Sequence, residues 1–180
     1  MGWKRLDSRV VFENDWMEVR EDHVINPGGG ENQYGYVHFK NRAVAIIPLD
    51  DEQNTWLVGQ QRYTLGEWSW ELPMGGAPLT ELPLEAAKRE LREETGLSAE
   101  HWTEIMQLHP SNSITDEIGF VYLAEGLTHG ETDFEESEDL EIRKIQLEDA
   151  LTMVRDGSIT DAISVAALLR IAEIKTTSSQ

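Results

Sequence analysis

Residues Gly75 to Leu97 read GGAPLTELPLEAAKRELREETGL, a glycine-led segment running into a stretch dense in glutamate and arginine. From Leu84 to Thr95 the residues are mostly good helix formers. Leu84, Ala87, Leu91 and Thr95 recur at i, i+3, i+7 and i+11, which predicts a helix with one narrow buried face. Pro83 suits the first helical turn, where its missing N–H costs nothing, and Gly96 suits the C-terminal cap.

At about 100° per residue, Glu90, Glu93 and Glu94 fall on one arc beside that stripe. Like charges at i+3 and i+4 repel by roughly a few tenths of a kcal/mol per pair. Glu85 and Arg89, at i and i+4 in the favourable order, are expected to pair and relieve part of this, which leaves the Glu90/Glu94 edge uncompensated. A hard divalent cation is the missing partner, because Mg²⁺ takes one or two protein carboxylates and completes its shell with water and substrate phosphate. The bland alternative is a solvated acidic face.

The punctuation around the cluster favours the cation. Gly75, five residues, Glu81, seven residues, then Arg89-Glu90-Leu91-Arg92-Glu93-Glu94-Thr95-Gly96-Leu97 satisfies each defined position of the Nudix box, so the chain resembles a Nudix hydrolase. The resemblance extends over most of the chain and is strongest to the ADP-ribose pyrophosphatase and nucleoside diphosphate sugar hydrolase group. It implies an α/β fold: an α/β/α sandwich with a mixed β-sheet, preceded by a small N-terminal antiparallel sheet.

Composition agrees with a single folded domain. The 180 residues are enough for a sizeable core, and the formal charge of −19 opposes binding to a nucleic-acid backbone, which needs lysine and arginine clusters. A phosphate-bearing substrate is repelled too unless metal ions reverse the local sign. With no cysteine, disulfides and thiolate metal sites are excluded. The longest plain apolar run, Ala43 to Ile47, is too short to span a bilayer, so a cytoplasmic protein without a membrane partner is expected.

Along the chain, residues 9–12, 16–25 and 34–39 read as hairpin strands, with a turn at Asn26-Pro-Gly-Gly-Gly30. Residues 42–49 read as a strand buried on both faces, and residues 55–62 as its returning neighbour. Strands follow at 102–108, 118–124 and 140–145, the first two joined through Pro110-Ser-Asn-Ser113 and the acidic pair Asp116 and Glu117. Helices are expected at 148–155 and 160–174. The expected organisation is residues 1–40 as a dimerising β-sheet, 41–175 as the Nudix domain and 176–180 as a frayed tail.

The resemblance assigns site residues position by position. Glu90 and Glu94 match the main metal ligands, Glu93 an auxiliary ligand that also stands in reserve as a catalytic base, and Met74 a backbone carbonyl offered to the metal. Glu136 and Glu138 sit in the acidic loop from which such enzymes supply a catalytic glutamate. Arg62 matches a position that contacts the diphosphate or terminal ribose, and Trp16 and Tyr34 match aromatics that sandwich the base across a homodimer interface. Arg89 is expected to hold the orientation of a neighbouring glutamate. The implied reaction is Mg²⁺-dependent hydrolysis, with Mn²⁺ as a substitute, of ADP-ribose or a related nucleoside diphosphate sugar. A GDP-mannose-type hydrolase and a non-catalytic nucleotide sensor are the competing readings. Two departures stand out: Thr80-Glu81 replaces the usual Gly-Glu, and Pro110-Ser-Asn-Ser113 stands where many members have Ser-Pro-Gly.

Overall fold

The alternating residues near the N-terminus form an antiparallel sheet of β1 (Lys4–Glu13), β2 (Met17–Ile25) and β3 (Glu31–Phe39), in the order β1-β2-β3. The computed structural model describes residues 2–131 and 140–178. The β2–β3 turn forms where Asn26 sits because its Oδ1 accepts the N–H groups of Gly28 and Gly30, at 2.9 and 3.1 Å, while Gly29 takes φ 91°. β1 is exposed along its whole length.

β4 (Asn41–Pro48) carries the core. Its run of β-branched and small residues is buried on both faces from Val44 to Pro48, which suits a strand covered by helices on each side. Val44 and Ile46 meet Ala86, Ala87 and Leu91 on one side, whereas Ala45 and Ile47 meet Leu151, Ile163, Ala167, Leu168 and Ile171 on the other. The first group belongs to α1 (Pro83–Thr95), the second to α2 (Leu147–Arg155) and α3 (Ala162–Ser178), so the fold is an α/β/α sandwich.

Residues 55–62 are not the neighbour of β4. That expectation fails because both edges of β4 are taken, one by antiparallel β7 (Met74–Pro78) and the other by parallel β9 (Gly119–His129), with β8 (Leu97–Leu108) beyond. β5 (Asn54–Arg62) instead pairs with β6 (Glu67–Glu71) and with β10 (Glu141–Gln146) in a separate antiparallel sheet. The turn that redirects the chain is pinned by Asp50, whose Oδ1 accepts the Asn54 N–H at 2.7 Å, and it places Gln53 at φ 64°.

α1 has the ends its sequence predicts: Pro83 in the first turn, and Gly96 left-handed at φ 70°, donating to the Arg92 carbonyl. Ala87, Leu91 and Thr95 of the expected stripe are buried, Leu84 is only partly covered, and the buried face widens to take in Ala86 and Glu94, the latter 2% exposed. The helix at the C-terminus also runs further than expected. Residues 175–177 are helical, with Thr176 and Thr177 hydroxyls donating back to the Ala172 and Glu173 carbonyls at 2.9 and 3.0 Å.

Candidate active site

The glycine-led segment ahead of the predicted helix forms the strand β7, and α1 packs across it. The Met74 N–H donates to Oε2 of Glu94 at 2.9 Å, which gives a buried carboxylate the partner that its desolvation demands. One turn earlier the Glu90 carboxylate lies over Gly75, where a Cβ would fall 2.2 Å from its Cδ. Only glycine allows that approach. Glu90 and Glu94 therefore flank the same two residues, Met74 and Gly75, from successive turns of one helix.

Arg89 binds this arrangement together. Its Nη1 donates to Oε1 of Glu90 at 2.7 Å and to Oε2 of Glu93 at 2.9 Å, and its Nη2 donates to the Gly76 carbonyl at 2.9 Å and to Glu81 at 3.3 Å. Burial works against its charge, but the bond to Glu81, the field of Glu90 and the bonds to Glu90 and Glu93 outweigh that and raise its pKa above the ordinary arginine value. The expected Glu85–Arg89 pair does not form. Glu85 takes Lys88 at 2.7 Å instead, because the acceptors around Gly76 draw Arg89 to the other side of the helix.

Met74 and Gly75 separate two clefts. One, of about 580 Å³, is lined by Asp15, Trp16, Lys40, Asn41, Arg89 and Glu90 among others. The other, of about 360 Å³, holds Gln60, Arg62, Glu94, Pro110, Glu117 and Asp161. Trp16, 66% exposed, brings an aromatic side chain to the lining of the first. Tyr34 reaches neither, since its hydroxyl donates to the Ser113 carbonyl at 2.6 Å and its ring meets Trp3 edge-on. Glu136 and Glu138 lie outside the described residues.

Arg62 faces the second cleft with two of its nitrogens committed. Nε donates to Oε1 of Glu71 at 2.8 Å and Nη2 to Oε2 of the same carboxylate, a bidentate pair that raises the arginine pKa despite burial. Glu71 escapes sequence reading because the β5–β6 register sets Arg62 opposite Glu67, and the arginine side chain reaches back along the sheet to Glu71, which stands opposite Val58. Glu117 and Asp161 escape it for a similar reason, standing 44 residues apart in the chain and meeting only in the cleft. Burial, then the field of Asp161, pushes the Glu117 carboxyl up from its ordinary value. Asp161 also caps α3, its Oδ2 accepting the Ser164 N–H at 2.7 Å.

The donor chemistry suits a hard cation. Glu90, Glu93 and Glu94 offer only oxygen, and Gly75 leaves room for Glu90 where a side chain would intrude. Among the described residues no three histidine, cysteine or acidic side chains stand close enough to cage an ion. Mg²⁺ needs only one or two carboxylates, so the Glu90 and Glu94 pair fits it.

Comparison with known proteins defines the class. A Nudix domain profile matches residues 39–166, and a nucleoside diphosphate sugar hydrolase N-terminal domain profile matches residues 3–37. The chain belongs to the Nudix hydrolase family. The ADP-ribose pyrophosphatase of Mycobacterium tuberculosis (strain ATCC 25618 / H37Rv) is 37% identical over 179 residues, 97% of this chain and 85% of its own length. That of Bacillus subtilis (strain 168) is 31% identical over 167 residues, 92% of this chain and 90% of its own. A crystal structure described as ADP compounds hydrolase superposes with a TM-score of 0.88 over 99% of this chain and 96% of its own, at 21% identity, which shows the shared fold. No described helix is long and apolar enough to cross a membrane.

Proposed function

We propose that this chain hydrolyses the pyrophosphate bond of ADP-ribose or a related nucleoside diphosphate sugar, releasing a nucleoside monophosphate and a sugar phosphate in a Mg²⁺-dependent reaction. The observation that carries the reading is the placement of Glu90 and Glu94 on the Met74-Gly75 ridge between an aromatic cleft and a polar one. A diphosphate laid across that ridge sends its base toward Trp16 and its sugar toward Arg62, Gln60 and Glu117. The likeness to two ADP-ribose pyrophosphatases over nearly the whole chain supports the same substrate class.

Glu90, Glu94 and the Met74 carbonyl are the proposed metal ligands, with Glu93 auxiliary and Arg89 orienting Glu90 and Glu93. A bound Mg²⁺, or Mn²⁺ in its place, neutralises the diphosphate and lowers the pKa of the attacking water. Glu138 or Glu136 accepts the proton of that water as it adds to phosphorus and the bridging P–O bond breaks.

A panel of nucleoside diphosphate sugars, dinucleotides and nucleoside triphosphates, incubated with Mg²⁺ and resolved by chromatography, tests the reading. ADP-ribose or another nucleoside diphosphate sugar is expected to give paired phosphomonoesters. No turnover of any of them would overturn the proposal, and tight binding without product would favour a nucleotide sensor.

A homodimer in the cytoplasm belongs to the same proposal. Trp3, Leu6, Val10, Val11 and Phe12 are all 44% exposed or more on the N-terminal sheet, an apolar surface that a second copy would cover. Analytical ultracentrifugation showing a fully active monomer at micromolar concentration rejects the dimer.

A further inference from the structure

The N-terminal sheet grips the core at one place that the proposed reaction does not use. The His38 Nδ1 lies 2.5 Å from Oδ2 of Asp116, and the other oxygen of that carboxylate accepts the Phe39 N–H at 3.0 Å. Burial works against the charge of Asp116, but the hydrogen bond to His38 and that from Phe39 hold its carboxyl below the ordinary value. Backbone bonds extend the grip: the Val37 N–H donates to the Ile114 carbonyl at 2.8 Å, and the Asp116 N–H to the Val37 carbonyl at 3.2 Å. Residues 114–116 thus run along β3 as a short parallel graft, with Val37 bridged to Thr115.

The next residue is Glu117, which enters the polar cleft. Its backbone is fixed from the far side as well, where the His109 Nδ1–H donates to its carbonyl at 2.9 Å. Pro110, at the start of the same segment, lines the cleft too. Asp116 is thus the anchored residue immediately before Glu117. The His38–Asp116 contact is partly exposed and adds little to stability, so its geometric effect is the larger one.

We propose that the His38–Asp116 clasp is a positioning device: through it the N-terminal sheet sets the place of Glu117 in the cleft that takes the sugar half of the substrate. This rests on the hydrolase reading above. Asp116 and His38 touch no substrate and act through Glu117. A carboxylate is a strong acceptor for neighbouring hydroxyls, and Glu117 and Asp161 line the cleft together as two acids that repel a further phosphate.

The test is a double-mutant cycle read with ADP-ribose and Mg²⁺. Glu117→Gln and Asp116→Ala are each expected to raise KM by about ten-fold, as loss of a charge-assisted hydrogen bond does, with a smaller effect on kcat and an unchanged Mg²⁺ requirement. If Asp116 acts through Glu117, the double variant is no worse than Glu117→Gln alone, because the second change has nothing left to disturb. Asp116→Asn, which keeps an acceptor for the Phe39 N–H, restores part of the loss, and it serves as the readable variant if Asp116→Ala folds poorly. Additive KM effects, or a KM unchanged in Asp116→Ala and Asp116→Asn, overturn the clasp while leaving the hydrolase intact. A wild-type protein that turns over no nucleoside diphosphate sugar overturns the hydrolase reading and this inference with it.

Discussion

A Cβ placed on Gly75 would lie 2.2 Å from the Cδ of Glu90 and 2.3 and 2.4 Å from its two oxygens, so the first glycine of the motif and its second-helical-turn glutamate occupy one another's space. Real Cβ atoms do not approach so closely. Because the carboxylate is also held by Arg89 at 2.7 Å, a side chain at Gly75 would push it off that arginine. Gly75→Ala is expected to lower turnover and apparent Mg²⁺ affinity together by roughly ten- to a hundred-fold, the size of effect seen when a ligand loses its supporting contact. Mg²⁺ titration of activity checks it, with circular dichroism confirming that the fold survives. Wild-type Mg²⁺ dependence in Gly75→Ala would show that Glu90 does not serve as a ligand in this position.

Metal binding and water activation separate by charge. Glu94→Gln replaces an anionic oxygen with a neutral amide, so apparent Mg²⁺ affinity and kcat should fall together. Glu136→Gln or Glu138→Gln acts on a proton rather than on the metal, and should lower kcat by about 10² to 10⁴-fold with Mg²⁺ dependence nearly unchanged. Only one of the two need respond. Near-wild-type rates in both singles and in the double variant would remove the acidic segment from the reaction and turn attention to Glu93.

Glu71 is 2% exposed and meets Arg62 through two parallel hydrogen bonds. Glu71→Ala leaves the guanidinium half-buried without its counter-charge. Breaking a fully buried pair in this way costs about 3 to 5 kcal/mol, and the partial exposure of Arg62 brings the expected loss nearer to about 2 kcal/mol. Urea denaturation measures the loss, and KM for the sugar nucleotide should rise with it as Arg62 leaves its place. An unchanged denaturation midpoint would show that water satisfies Arg62 fully.

Acid stability should report Asp50. Burial opposes its charge, but the Lys144 ammonium at 2.8 Å, the Asn54 side chain and the Asn54 N–H outweigh burial and lower the carboxyl from 3.8 to about 2. A depressed carboxyl contributes stability that is complete above its unfolded value and is lost as pH falls through the folded one. The window thus runs from 3.8 down to about 2. Asp50→Asn should be less stable than wild type at neutral pH and should lose less on acidification across that window, as read by denaturation at several pH values. Parallel pH profiles for the two proteins would exclude Asp50 as the titrating group.

Much of this protein was legible in its residues because the deciding signals were local. Pro83 and Gly96 bound one helix, and glutamates three and four residues apart must share its face whatever surrounds it. The run from Val44 to Ile47, apolar at every position, had to lie between two covering layers. Tertiary structure alone decided the rest. It gave both edges of β4 to β7 and β9 and sent β5 into another sheet, because strand partners are chosen by competition among distant segments rather than by the turn between them. It drew Arg89 away from Glu85, since the Gly76 carbonyl and three glutamates offered more hydrogen bonds than one exposed pair. It turned Glu94 inward onto the Met74 N–H, brought Glu71 to Arg62 across the β5–β6 hairpin, and brought Asp161 to Glu117 across 44 residues. A carboxylate's partner depends on which donor the folded chain brings within about 3 Å, and that distance is a property of the fold rather than of spacing in sequence.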